Sequence, residues 1–241
     1  MKYLALDTTT EVCSVALNVD GVPHQILETT GQQASKRLPA MVHEILSSAG
    51  IAATALDGLV CCVGPGGFAG VRVGMAYAKG LALGLNVPIA PVSSLALLAQ
   101  AAIRKRPAPR CVVSAIDARM GEVYVADYRL DAGGQLNTAG EQVCAPEQWH
   151  GAAALSDTPF TAAGSGWKRY AEVLARACGS IPELILPDAV PEAIDAFALV
   201  AGKPECFVDA AALEPVYLRN HVALTLAERG VVLKGVDVKK S

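Results

Sequence analysis

The chain has 241 residues, 52% hydrophobic, 18% charged and 5% aromatic. This balance excludes a disordered chain, which needs low hydrophobicity and high charge, and suits an α/β protein of two small lobes with buried parallel strands. A net charge of −3 argues against a protein that grips RNA unaided, because phosphate neutralisation dominates such affinity. The seven cysteines are odd in number and form no C-x-x-C pair, so reduced thiols in a cytoplasmic protein are expected. Asp7 arrives too early for a signal-peptide apolar region, and no uncharged apolar run nears the roughly 18 residues that span a bilayer. The expectation is a soluble protein that neither enters a membrane nor is exported.

In chain order, Tyr3 to Leu6 reads as a short strand ending at Asp7, and Thr8, Thr9 and Thr10 form a polar turn. Cys13 to Val19 alternates as a second strand, Asp20-Gly21 is a hairpin turn, and Gln25 to Thr29 fits a third strand. Apolar residues at 38, 41, 42, 45 and 46 mark an amphipathic helix, with Ser35 as N-cap, Pro39 in the first turn and Gly50 as the stop. Leu59 to Val63 is a buried strand running through Gly64-Pro65-Gly66-Gly67 into a helix over 69–85. A short strand at 87–91 and a helix at 95–103 follow. The segment 104–110, with two prolines among its basic residues, reads as a solvated boundary between lobes.

The second half opens as the first does. Cys111 to Ile116 is a strand ending at Asp117, Met120-Gly121 is a turn, and Glu122 to Arg129 is a strand. The repeated strand–Asp–turn–strand pattern hints at an internal duplication. Further strands are expected at 160–164 and 184–186 and a helix at 171–178, with an extended segment from Gly230. The expected domains are 1–104 and 105–241, the last helix returning to the first lobe.

Three places could carry chemistry. Asp7 with Thr8, Thr9 and Thr10 at a strand end, and Asp117 in the matching place, suit a metal-bound phosphate; a carboxylate capping its own turn explains the same residues. The 64–67 loop precedes a helix N-terminus, a natural anion site, yet no Gly-Lys-Ser/Thr of a P-loop follows, and a tight turn also explains its glycines. Gly164-Ser165-Gly166 is either an approach to a nucleotide or a strand-to-helix turn. In the helix after the 64–67 loop, Gly70, Gly74 and Ala78 form a row of small residues bordered by Tyr77 and Leu81. Such a row lets another helix approach closely, inside the lobe or from another chain. No histidine pair or nucleophile triad can be assembled.

Five segments together resemble the TsaB family of tRNA-modification proteins: 4–10, 34–39, 63–74, 116–124 and 215–220. The resemblance implies a two-lobed, actin-like fold with a ribonuclease-H-like core and a mixed sheet in each lobe. It implies a cytoplasmic partner subunit, not a catalyst, in forming threonylcarbamoyladenosine in tRNA, beside the paralogous TsaD transferase and the TsaE ATPase. TsaD carries a histidine-rich metal motif where this chain reads Val92-Ser93-Ser94-Leu95-Ala96-Leu97-Leu98, and tight d-block metal binding needs imidazole or thiolate. The resemblance places a partner interface, with TsaD or a second copy, on the first two helices, through Ala40, His43, Gly70, Gly74, Tyr77, Ala78 and Leu81. No cofactor is certain; ATP or ADP with magnesium would sit at the complex interface, and tRNA would be met only through the complex. The rival readings are an actin-like ATPase or phosphotransferase using Asp7 and Asp117, a glycoprotease-like peptidase, and a homodimer with no role on tRNA.

Overall fold

The computed structural model describes residues 1–105, 111–151 and 158–219. Residues 220–241, with the expected returning helix and the extended segment from Gly230, lie outside the described residues, as does the boundary segment beyond Lys105. In the first sheet β1 (Lys2–Asp7) pairs antiparallel with β2 (Val12–Val19), which pairs with β3 (Val22–Thr29). On its other side β1 runs parallel to β4 (Gly58–Cys62), and β4 to β5 (Ile89–Val92). The β2–β3 hairpin turns at Asp20-Gly21, both with positive φ, as a two-residue loop matched to strand twist requires.

The second sheet repeats this order. Strand β6 (Cys111–Arg119) pairs antiparallel with β7 (Glu122–Leu130), which also carries β8 (Leu136–Thr138) and β9 (Gln142–Cys144). On the other side lie β10 (Thr161–Ala163) and β11 (Leu184–Leu186), both parallel. The two mixed sheets are those of a two-lobed, actin-like fold.

Four helices and one short segment cover the sheets. Helices α1 (Ala34–Ser48) and α2 (Phe68–Leu85) bury Leu38, Met41, Ile45, Val71 and Met75 against one face of the first sheet. Each such large side chain contributes about 1.5–3 kcal/mol on leaving water. Helix α3 (Ser94–Lys105) lies between the sheets: Leu97 packs on the first, while Leu95, Leu98 and Ala102 pack on the second. Helix α4 (Ser165–Cys178) covers the far face of the second sheet with Trp167, beside Trp149 and Phe160. Short α5 (Ala196–Val200), from the second half of the chain, returns to the first sheet beside Ala5, Val60 and Ala90.

The exchanged segments are riveted by charge. Arg104 forms a two-pronged pair with Asp195 at 2.7 and 3.0 Å and reaches Glu192 at 2.8 Å, and Lys105 binds the same Glu192. Both residues were expected in a solvated boundary; they are helical because Glu192 and Asp195 hold them on the returning segment. Two local expectations also shift. Helix α1 begins at Ala34, fed by the 3-10 turn Gly31–Gln33, so Ser35 lies inside the helix and Pro39 is its sixth residue. Helix α4 begins at Ser165, six residues earlier than expected, with a kink at Tyr170 that separates the aromatic first turns from the regular remainder. Gly50 does end α1, at φ +66, with its N–H on Ser47 O and that of Ile51 on Leu46 O.

Candidate functional site

A cleft of about 1500 Å³ opens between the lobes, lined by the loops after β1, β4 and β6 and by the start of α4. Its first corner is sealed. Asp7, Thr8 and Thr9 are each 1% exposed, because α2 begins directly over them. Thr8 Oγ1 donates to Gly70 O at 2.7 Å, and Gly67 N donates to Thr9 O at 2.7 Å. A Cβ at Gly66 would stand 2.3 Å from Thr9 O, one at Gly70 2.1 Å from Thr8 O, and one at Gly74 2.4 Å from Thr8 Oγ1. The glycines are there so that backbone can touch backbone.

Asp7 Oδ1 accepts the Thr9 N–H at 2.9 Å, capping its own turn, while Oδ2 is buried with no partner. Burial holds this carboxyl above its usual range, against the opposing Thr9 hydrogen bond. A magnesium-bound phosphate needs an ionised carboxylate open to the cleft. Thr8 and Thr9 line the cleft, but the Asp7 carboxyl lies behind them and does not fit that group.

The second corner is open but occupied by cations of the chain itself. The Asp117 carboxylate meets Arg169 at 3.0 Å and Arg119 at 3.6 Å. Its backbone N–H donates to Ser165 Oγ at 3.1 Å, and Gly166 presses on Ala115. Two guanidinium groups stand where a metal-bound phosphate would need the carboxylate free, so Asp117 does not fit that group either. Arg119 also crosses the cleft to Glu11 at 3.1 Å.

A C-terminal strap joins the two corners. Lys79 of α2 donates to Ala211 O and Leu213 O at 3.0 and 3.2 Å, and Val216 N donates to Val63 O at 2.9 Å. Arg219 then binds Ala118 O and the Glu122 carboxylate in the β6–β7 hairpin. The 116–124 and 215–219 motifs, distant in sequence, are thus in contact, a link that periodicity has no means to reveal. Asn220, the last residue of the second motif, lies outside the described residues.

The expected partner residues divide into two sets. On α1, Ala40 and His43 are exposed; on α2, Tyr77 and Leu81 are half-buried against the core. Gly74 and Ala78 are buried and Gly70 rests on Thr8, so the Gly70–Gly74–Ala78 row packs inside the lobe, not against a partner. The physical reason at Gly70 and Gly74 is the Thr8 turn, which needs close approach there, while Ala78 packs in the hydrophobic core. The outward row of α2 is a different one: Ala69, Ala76, Gly80 and Leu83 are exposed. Helical spacing alone does not separate the two rows, since both are rich in glycine and alanine.

Among the described residues no group of three His, Cys, Asp or Glu side chains converges to hold a metal ion, and no helix is long and apolar enough to cross a membrane. All seven cysteines are free, and burial pushes the Cys13 and Cys178 thiols up to about 12.

Comparison with known proteins agrees with this architecture. The family model for TsaD, tRNA N6-adenosine threonylcarbamoyltransferase, matches residues 26–227. The tRNA threonylcarbamoyladenosine biosynthesis protein TsaB of Escherichia coli is 40% identical over 230 residues, covering 92% of this chain and 96% of that protein. Its Haemophilus influenzae counterpart is 39% identical over 231 residues, covering 92% and 95%. The structure of YeaZ from Pseudomonas aeruginosa superposes with a TM-score of 0.82 at 38% identity, covering 90% of this chain and 99% of that one.

Proposed function

The chain belongs to the TsaB family, within the wider family described by the TsaD model, and from that premise we propose that it is a non-catalytic partner subunit in forming threonylcarbamoyladenosine in tRNA. It pairs with a TsaD-type paralogue through the outward faces of α1 and α2. The observation that carries this reading is the contrast within α2. Its inner row packs within the chain, whereas Ala69, Ala76, Gly80 and Leu83 face solvent, with the exposed Arg72 as the charge in that row. Beside them α1 presents Ala40 and His43. An exposed helix face of this kind is unusual unless a second helix pair covers it. Tyr77 and Leu81 border it.

The sealed Asp7 and the arginine-bound Asp117 support a scaffolding role over an ATP-using one. The same face serves self-association, which the paralogue displaces, and a TsaE-type ATPase docks on the resulting heterodimer. The cytoplasm, where tRNA is modified, is the proposed location. Size-exclusion chromatography with light scattering tests this, on the chain alone and mixed with its TsaD-type paralogue. A mixed heterodimer that grows at the expense of the self-dimer is expected. A chain that stays self-associated, or that turns over ATP in a manner lost in Asp7→Ala, would overturn the reading.

A further inference from the structure

The start of α2, at the end of its outward face, carries an exposed aromatic–guanidinium group beside the cleft. Phe68, at the start of α2, is 58% exposed, and Tyr217, on the strap, is 48% exposed. Other large rings of this chain, Trp149, Trp167 and Phe160, are fully buried. The Phe68 and Tyr217 rings lie 6.2 Å apart at 31°. The Arg72 guanidinium sits 3.1 Å over the Phe68 centroid and 5.4 Å from that of Tyr217.

Arg72 differs from its cleft neighbours. Arg119 pairs with Glu11, Arg169 with Asp117 and Lys168 with Asp188. No carboxylate among the described residues forms an ion pair with Arg72. Its planar fork is therefore held against an aromatic face with its N–H donors unspent, beside the Phe68 and Tyr217 rings that line the cleft.

We propose that the Phe68–Arg72–Tyr217 stack is a contact for one unstacked nucleotide of an RNA. The base lies on the exposed face of Tyr217, and a phosphate oxygen accepts from Arg72. Unpaired RNA bases are held by stacking on aromatic and guanidinium planes, a contact that tolerates any base because every base has a π-face. A single-nucleotide contact needs no basic stripe, which agrees with the net charge of −3. Arg119 and Lys168 line the same cleft. The Arg119–Glu11 and Lys168–Asp188 pairs are exposed on both sides, and such pairs hold their partners weakly. The assignment rests on the chain being a subunit of a tRNA-modifying assembly, which supplies the RNA and positions it.

The test is fluorescence anisotropy of a labelled single-stranded oligoribonucleotide, with the full chain alone and mixed with its TsaD-type paralogue. Arg72→Ala and Tyr217→Ala are each expected to weaken binding about fivefold or more, with melting temperature unchanged. Arg72→Lys, which keeps the charge and loses the plane, should fall between, and AMP should fail to displace the RNA. The proposal is overturned if the wild type binds RNA in neither form, or if the variants bind as it does. AMP displacing the RNA at equal concentration would make this a site for a free nucleotide. Loss of the paralogue from Arg72→Ala with RNA binding intact would make it a protein contact. Failure of the partner reading is seen separately, as absence of the mixed species in light scattering.

Discussion

Asp7 ends β1 and Asp117 stands two residues before the end of β6, at matching places in a repeated topology, and they have opposite surroundings. Asp7 lies beneath α2, its turn locked by Gly66, Gly70 and Gly74, with one oxygen unpartnered. Asp117 faces the cleft and is neutralised by Arg169 and Arg119. The same backbone device thus ends in a packing element in one lobe and a surface ion pair in the other. Neither carboxylate stands free in the cleft, so a repeated topology does not by itself fix the surroundings of its strand-end acids.

The contrast is tested most severely by Gly70→Ala. Its Cβ would meet the Thr8 carbonyl at 2.1 Å, a backbone atom that has little room to yield. Urea denaturation should show a loss of about 3 kcal/mol or more. A variant as stable as the wild type would mean the corner is loosely packed.

Asp7→Asn should act in the other direction. It keeps the acceptor for Thr9 and removes a buried charge, so a gain of about 1–2 kcal/mol is expected at neutral pH. Folding raises the Asp7 pKa, so the folded state binds its proton more tightly than the unfolded chain. Wild-type stability therefore falls as pH rises through the folded-state value, while the asparagine variant does not titrate. The two should converge on acidification to below about 3.9, the ordinary aspartate value. Destabilisation by Asp7→Asn at neutral pH would show that the carboxylate makes a bond essential to the fold.

Arg169→Ala, in the open corner, should cost far less than Gly70→Ala, because the arginine is exposed, and added salt should erase most of the difference from wild type. A loss as large as that at Gly70 would contradict the description of the second corner as a surface pair. Glu11→Ala removes the exposed pair across the cleft mouth and is expected to be smaller still, a few tenths of a kcal/mol by thermal melting.

Much of the fold was legible because its signals are local. The apolar run Leu59 to Cys62 and the stripe of α1 read directly as buried strand and amphipathic helix, and Asp20-Gly21 and Gly50 mark their turns by the backbone angles they tolerate. The misreadings concern tertiary choices. Pro39 was expected at the helix start, but the preceding 3-10 turn lengthens the helix beyond what its stripe shows. The row Gly70–Gly74–Ala78 has the spacing of a helix-contact surface, and its two glycines provide one for the Thr8 turn of their own lobe while Ala78 joins the core. Arg104 and Lys105 look like a solvated run until Glu192 and Asp195, some ninety positions later, arrive beside them. Nothing in local spacing encodes which long-range partner a small or charged residue meets.

The outward face of α2 is the proposed partner surface, and Ala76→Arg is the direct probe of it. Ala76 is exposed and touches none of the inner row, so the variant should melt as the wild type does. Light scattering of the mixture with the TsaD-type paralogue should give a heterodimer for the wild type and separate species for Ala76→Arg. A variant that forms the heterodimer as readily as the wild type would contradict the account.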